Sequence, residues 1–402
     1  MEFSRFRIYL NRIKDGVPGA VRRHFFERKR IVLFAVVAFL LVVNAVLGAW
    51  MNSIVAGLPE FLLADRWSSE DEMAQVSMYT TEDQMVDVDS IKRFEYMLEK
   101  KLGDEGALDP DEYKDSEKPK VFAVGYCAQG QVSLTFENRT AENASAIGVG
   151  GNFFLFHPME YVAGGPFSGD YLMQDSIVID EEMAWQLFGS TDIIGQMVTI
   201  GGVPHYVVGV VARDTGKLKK AAGLDKSYVY LSYDSLSRYG RILSGVTSTE
   251  DISEDGTTAL RGGINCIEVV CPNPVKGLSA KISRESLGIP EEFVTVIDNT
   301  DRFSFFSLVK VIRSYGTRSM WSKAIYYPYW ENIARGYEDV LATILAVRIL
   351  CMLAVVVIVA ISIINAYRHK TWTVRSVAKY LADKKYDWEA EHKRLKEERS
   401  TL

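Results

Sequence analysis

Two long apolar runs, Ile31–Trp50 and Leu341–Ala366, stand near opposite ends of this 402-residue chain, and basic residues flank each on its outer side. About 20 helical residues cross the hydrocarbon core of a bilayer, so either run is long enough to span it. Whatever lies between two such spans is confined to one side of the membrane. The expected organisation is a cytoplasmic segment (1–30), a first transmembrane helix (31–52), an outer domain (53–339), a second transmembrane helix (340–366) and a cytoplasmic tail (367–402).

Charge sets the expected orientation. Residues 1–30 hold 9 Lys+Arg against 3 Asp+Glu, and the tail from Tyr367 holds 10 against 6. The stretch between them holds 27 against 43. The positive-inside rule places both termini in the cytoplasm and the acidic middle outside, in contact with the lipid bilayer only through its anchors. An acidic domain repels nucleic acid and anionic lipid headgroups, so neither is expected as its partner. The first run exceeds the 7–15-residue apolar core of a signal peptide, and Leu47 spoils the small-x-small pattern that would end at Ala49, so an uncleaved anchor is expected. Residues 1–30 intersperse Phe3, Phe6, Ile8 and Leu10 with Arg and Lys, which suits an amphipathic helix on the inner leaflet or only a basic flag.

The chain has four cysteines. Cys351 lies inside the second run. Cys266 and Cys271 bound one apparent strand, and five extended residues separate them by about 16 Å, beyond disulfide reach. Cys127 is then the one available partner for either, and unpaired buried thiols are the alternative.

The middle alternates helix and strand patterns. Met85, Val88, Ile91, Phe94, Met97, Leu98 and Leu102 recur at helical spacing and predict a helix over 81–102, capped by Thr80 or Thr81. The acidic stretch 103–119 lacks the glycine position and ligand spacing of a calcium loop. KVFAVGYC and QVSLTFEN read as two strands around a turn at Gln129–Gly130. DSIVIDEEMAWQLFG reads as a strand and a short helix capped by Asp180 and ended at Gly189. MVTIGGVPHYVVGVVAR reads as a hairpin turning at Gly201–Gly202. SYVYLSY is a further strand, and residues 263–298 read strand–helix–strand. The fold class expected is α+β: two transmembrane helices flank an extracytoplasmic domain made of a mixed α/β lobe (about 60–130 plus 264–312) and an inserted β-rich lobe (about 131–263).

No GxxxxGK, HExxH or Gly-x-Ser-x-Gly sequence is present. Between the runs only His157 and His205 offer imidazole, and Gly148–Gly151 precedes no capped helix that would receive a phosphate. The chain is therefore expected to be no enzyme, with no catalytic residues, no cofactor and no metal. Candidate sites are of another kind. Arg348 lies about 10 Å inside the second run. A guanidinium there costs roughly 2.5–3.5 kcal/mol on insertion scales, so it needs a partner: a second membrane protein, a lipid phosphate or a water pocket, with snorkelling to the outer interface as the alternative. Asn44 in the first run suits an interhelical hydrogen bond worth about 1 kcal/mol. Trp321, Tyr326, Tyr327, Tyr329, Trp330 and Tyr337 crowd the approach to the second run and read as a membrane-interface belt or a partner surface.

From Ala146 to Asp214 the chain resembles a known family. NFF followed by the GGPFS turn, the strand–helix IVIDEEMAWQLFG, the DIIGQ turn and the strand VVGVV together resemble the MacB-like periplasmic core domain of the MacB/FtsX class of ABC transporter permeases. The resemblance implies a non-catalytic, permease-like membrane subunit whose outer domain is coupled to a separate cytoplasmic ABC ATPase subunit and to a further permease subunit. Family members carry three more spans after the outer domain and a glycine-containing coupling segment. Here the apolar runs number two, and the tail instead offers Val374, Val377, Ala378, Leu381 and Tyr386 as a cytoplasmic helix able to touch such a partner. The alternative reading is a membrane-anchored sensing or interaction scaffold without a transport cycle.

Overall fold

The fold was analysed in a computed structural model that describes residues 28–67, 72–84, 86–108, 121–169, 172–213, 216–244, 250–252, 258–260, 263–318, 323–368 and 385–386. Two compact units form. One comprises residues 1–49 with 347–402, and the other residues 50–346. Trp321 and most of the two terminal segments lie outside the described residues.

The principal elements, in chain order, are α1 (Arg28–Ala56), β1 (Met73–Thr80), α2 (Val88–Asp104), β2 (Ala123–Phe136), β3 (Arg139–Gly151), β4 (Tyr161–Gly164), β5 (Ser176–Asp180), α3 (Glu181–Leu187), β6 (Met197–Ile200), β7 (Val203–Val211), β8 (Tyr228–Ser232), α4 (Tyr233–Tyr239), β9 (Arg241–Ile242), β10 (Glu250–Ile252), β11 (Thr258–Leu260), β12 (Cys266–Pro272), α5 (Leu278–Leu287), β13 (Val294–Asp298), α6 (Phe305–Ser314) and α7 (Tyr329–Arg368). Among the described residues, α1 and α7 are the two helices long and apolar enough to cross a membrane.

In the larger unit eleven strands join one mixed sheet, in the order β13-β1-β12-β2-β3-β8-β5-β7-β4 with β6 and β9 off this path, and β10 pairs with β11 in a separate two-stranded sheet. β6 pairs with both β2 and β7, so the run β2-β3-β8-β5-β7-β6 closes on itself as a six-stranded ring. Closure removes exposed strand edges, and Leu134, Ile177, Ile179, Val198, Ile200, Val207, Val229 and Leu231 are buried in its core. This ring is the β-rich part. β12, β1 and β13 extend the sheet from β2 and are covered by α2 and α5, giving the mixed α/β part. Every residue of β1 is buried, as expected of a strand covered on both faces. Val76 and Met78 pack toward α2, while Tyr79 joins a second cluster with Cys127, Phe153 and Trp330.

Several local expectations hold. Asp180 caps α3 by accepting the Met183 N–H at 2.7 Å. The β6–β7 hairpin turns at Gly201–Gly202, where φ of +56° and +82° suits a two-residue loop that glycine alone enters without strain. Two expectations are corrected. β2 runs straight through Gln129–Gly130, because β9 crosses there: the Arg241 carbonyl lies where any Cβ at position 130 would have to sit. The turn falls instead at Glu137–Asn138, between β2 and β3. The helix predicted over 81–102 begins at Val88, capped by Asp87 on the Ser90 N–H at 2.8 Å. Thr81 and Glu82 instead spend their N–H groups on the Phe293 and Ala324 carbonyls.

Candidate coupling site

A buried polar network in the larger unit gathers at the loop that follows β13. Asn299 and Arg302 are buried there beside the first turns of α7, which supply Glu331, Arg335, Glu338 and Asp339. Glu331 and Glu338 are seven residues apart, so they lie on one helix face. That face also buries Trp330, Ala334, Leu341 and Leu345.

Arg302 is the hub. Its Nη1 and Nη2 donate to both oxygens of Glu331 at 2.7 and 2.9 Å, a bidentate geometry. Nε donates to Glu338 at 2.5 Å, and Nη1 also reaches Asn299 Oδ1 at 3.2 Å. Arg335 Nε donates to Glu331 at 2.8 Å, and the Tyr79 hydroxyl to the same carboxylate at 3.4 Å. Arg318 completes the group on Glu338 and, at 2.6 Å, on Asp339. The Phe61 ring lies 5.0 Å from the Arg302 guanidinium carbon. Burial pushes the Arg302 pKa down, but the Glu331 and Glu338 carboxylates outweigh it and hold it above the ordinary arginine value. The ions are thus paired on every side, the condition under which buried charge is tolerated.

The same loop holds the entry of the chain into the unit. Gln75, buried on β1, accepts the Leu63 N–H at 2.9 Å and donates to the Glu60 carbonyl at 2.6 Å. Its backbone accepts from Asn299 N at 2.8 Å and donates to Thr300 Oγ1 at 3.0 Å. Residues 60–63, which follow α1, and residues 331–339, which open α7, are therefore both tied to 299–302.

From Asn299 the network continues inward. Asn299 Nδ2 donates to Ser77 Oγ at 2.7 Å, Ser77 donates to Glu268 at 2.9 Å, and the other Glu268 oxygen meets His157 Nε2. A serine, an acid and a histidine thus lie together, but the hydroxyl faces the carboxylate rather than the imidazole. The imidazole meets the carboxylate and not the hydroxyl, so the trio does not have the geometry of a Ser-His-acid triad. His157 Nδ1 and Trp330 Nε1 bond no atom among the described residues. Among those residues no group of three or more His, Cys, Asp or Glu is placed to hold a metal. A cleft of about 280 Å³ opens beside the network. Its wall mixes Glu60, Glu160 and Asp180 with Arg213, Lys219 and Lys226, so neither sign of charge dominates it.

The residues singled out in the sequence fall into place differently. In the smaller unit, Asn44 and Arg348 meet: Asn44 Nδ2 donates to the Arg348 carbonyl at 3.1 Å, and Arg348 Nη2 to Asn44 Oδ1 at 3.4 Å. Gly48 makes room, since a Cβ there would lie 3.1 Å from Arg348 Nη2. Of the aromatic group, Trp330 is not an interface residue. It is fully buried, with its ring centre 4.3 Å from that of His157 and 5.7 Å from that of Phe153. It is the second residue of α7, and the face it shares with Ile333 and Ala334 packs into the domain core. Tyr327 lies under Arg335 at 3.7 Å, Tyr329 bonds the Tyr230 hydroxyl at 2.8 Å, and Tyr337 packs against the same core. Tyr326 keeps an exposed ring while its carbonyl accepts from Gln129 and Asn265. Sequence reasoning missed Arg302, Asn299, Glu331 and Glu338. The readable signal was two glutamates set inside an otherwise apolar helical stripe.

A family profile described as the MacB-like periplasmic core domain matches residues 32–261. A macrolide export ATP-binding/permease protein MacB of Chromobacterium violaceum is 37 % identical over 117 residues, 28 % of this chain and 17 % of that protein. MacB 2 of Aeromonas hydrophila subsp. hydrophila is 27 % identical over 126 residues, 31 % of this chain and 18 % of that protein. The aligned stretch thus spans less than a fifth of these relatives' length. Among solved structures, the periplasmic region of MacB from Actinobacillus actinomycetemcomitans matches at 14 % identity and a TM-score of 0.36, covering 63 % of this chain and 97 % of that one. The extracellular domain of the noncanonic ABC-type transporter YknZ from Gram-positive bacteria matches at 15 % identity and a TM-score of 0.32, covering 56 % and 99 %. With the profile matched over more than half of its residues, this chain belongs to the MacB-like periplasmic core domain family.

Proposed function

We propose that this protein is a non-catalytic, permease-like membrane subunit of an ABC-type transporter or mechanotransmission assembly, and that its sheet domain lies outside the cytoplasm and moves when a separate cytoplasmic ATPase cycles. Both chain ends are cytoplasmic in this reading, and α1 and α7 cross the bilayer. The observation that carries it is the convergence of residues 60–63 and 331–339 on the 299–302 loop. A displacement of the chain at either end of the domain would be felt at one buried, hydrogen-bonded point, and a packed junction of this kind transmits motion better than a loose linker. Relatives that bear ATP-binding and permease functions in their names support the same class.

Isolation from the native membrane in mild detergent should recover an ABC ATPase and a further permease subunit with the chain, and cross-linking from Lys379 or Lys384 should reach that ATPase. Recovery without either partner removes the transport reading and leaves the anchored scaffold. Protease added to intact cells should cut the domain and spare the tail; the reverse pattern inverts the orientation.

A further inference from the structure

α6 presents an unusual face. Its buried side, Leu308 and Val311, packs into the domain. On the other side Phe306 is 76 % exposed and the neighbouring Phe305 54 %. Phe306, Lys310 and Arg313 follow at i, i+4 and i+7, so one ring and two cations share the outward face. Lys310 and Arg313 form no ion pair among the described residues. Two adjacent exposed phenylalanines beside two cations with no ion pair among the described residues form the pattern of a helix that lies in a headgroup layer.

The position of α6 supports the same reading. Tyr315, the residue that follows it, donates its hydroxyl to the Asp339 carbonyl at 3.1 Å and meets Thr343 Oγ1 at 3.1 Å. Asp339 and Thr343 bracket Leu341, where the apolar run of α7 begins. The C-terminal end of α6 is therefore pinned to the first turn of that run. Phe306 lies about 14 Å along the helix from Tyr315. The Arg302–Glu338 bond fixes the other end of α6 to the same helix.

We propose that the Phe306–Lys310–Arg313 face of α6 rests on the phosphate layer of the leaflet next to the domain, the two rings entering the acyl boundary and the two cations meeting lipid phosphates. This rests on the reading that Leu341–Ala366 crosses the bilayer. The face would set the tilt of the domain against the membrane, because Arg302 joins it to the network at the opening of α7.

The test uses the full chain in lipid nanodiscs, with Cys351→Ser removing the one cysteine that is not buried. An environment-sensitive fluorophore is attached through Phe306→Cys, and through Trp185→Cys and Val357→Cys as references. Lipids that carry a nitroxide near the headgroup should quench the probe at 306 several-fold more than the one at 185, and iodide should quench it several-fold less. Adding Lys310→Glu and Arg313→Glu should reverse that order. Strong iodide quenching at 306 overturns the inference, and so does protection from both quenchers, which would mean that a protein covers the face. The probe at 357 separates the two readings: if lipid quenches it and not the probe at 306, the span stands and the inference falls, and if lipid quenches neither, both fall.

Discussion

Arg302 and Glu331 face each other through two parallel hydrogen bonds of 2.7 and 2.9 Å, with both side chains shut away from water. One belongs to a loop at the end of a strand and the other to the first turn of α7. A buried pair of this kind is held by mutual compensation, so its two halves should be strongly coupled.

Arg302→Met is therefore expected to cost about 3–5 kcal/mol, because it leaves the buried Glu331 and Glu338 carboxylates under-compensated, with only Arg335 and Arg318 still on them. Replacing Arg302 and Glu331 together by Met and Leu should recover part of that loss, since the more deeply buried carboxylate goes with its partner. Denaturant midpoints of the purified chain and its variants measure both. A single variant as stable as the parent would mean that water reaches the network.

Phe153→Ala should destabilise the domain by about 3–5 kcal/mol. The ring is buried among His157, Trp330 and Phe154, and its removal leaves a cavity between β2 and α7. Phe305→Ala, on an exposed position, should stay within about 0.5 kcal/mol. Thermal melts of the two variants side by side test the contrast.

His205 predicts an acid-side loss of stability. Burial lowers its pKa below the ordinary 6.5, against weaker opposing effects of the Val203 carbonyl and Asp175. The unfolded chain then takes up a proton that the folded chain refuses. The contribution is complete above about pH 6.5 and declines as pH falls from there toward the folded value. His205→Asn should remove that part of the decline, as read from denaturation midpoints between pH 7.5 and 5.

Gly48→Val should expel the Arg348 guanidinium, because the new side chain occupies its place beside α1. Arg348→Leu removes the same group, and this change is expected to weaken assembly more than folding. Each should reduce the complex recovered on a native gel, and the double variant should lose little more than either alone, since both act on one contact.

Much of the architecture is legible in local chemistry. The two long apolar helices follow from apolar length, the β6–β7 turn from Gly201–Gly202, the start of α3 from Asp180, and the β12–α5–β13 unit from its alternation of periods. Each is decided by residues within one element, where the backbone's own geometry and capping are enough. What chain order alone left undecided was every question of which remote group a residue meets. β2 continues through Gly130 because β9 crosses it 111 residues later in the chain. α2 begins at Asp87 because Thr81 and Glu82 are held by residues more than 200 positions away. Trp330 turns inward, and Arg302 finds Glu331, Glu338 and Asn299, only once the sheet has set them side by side. Burial and charge compensation depend on spatial neighbours, so local pattern determined the elements and tertiary packing determined the site.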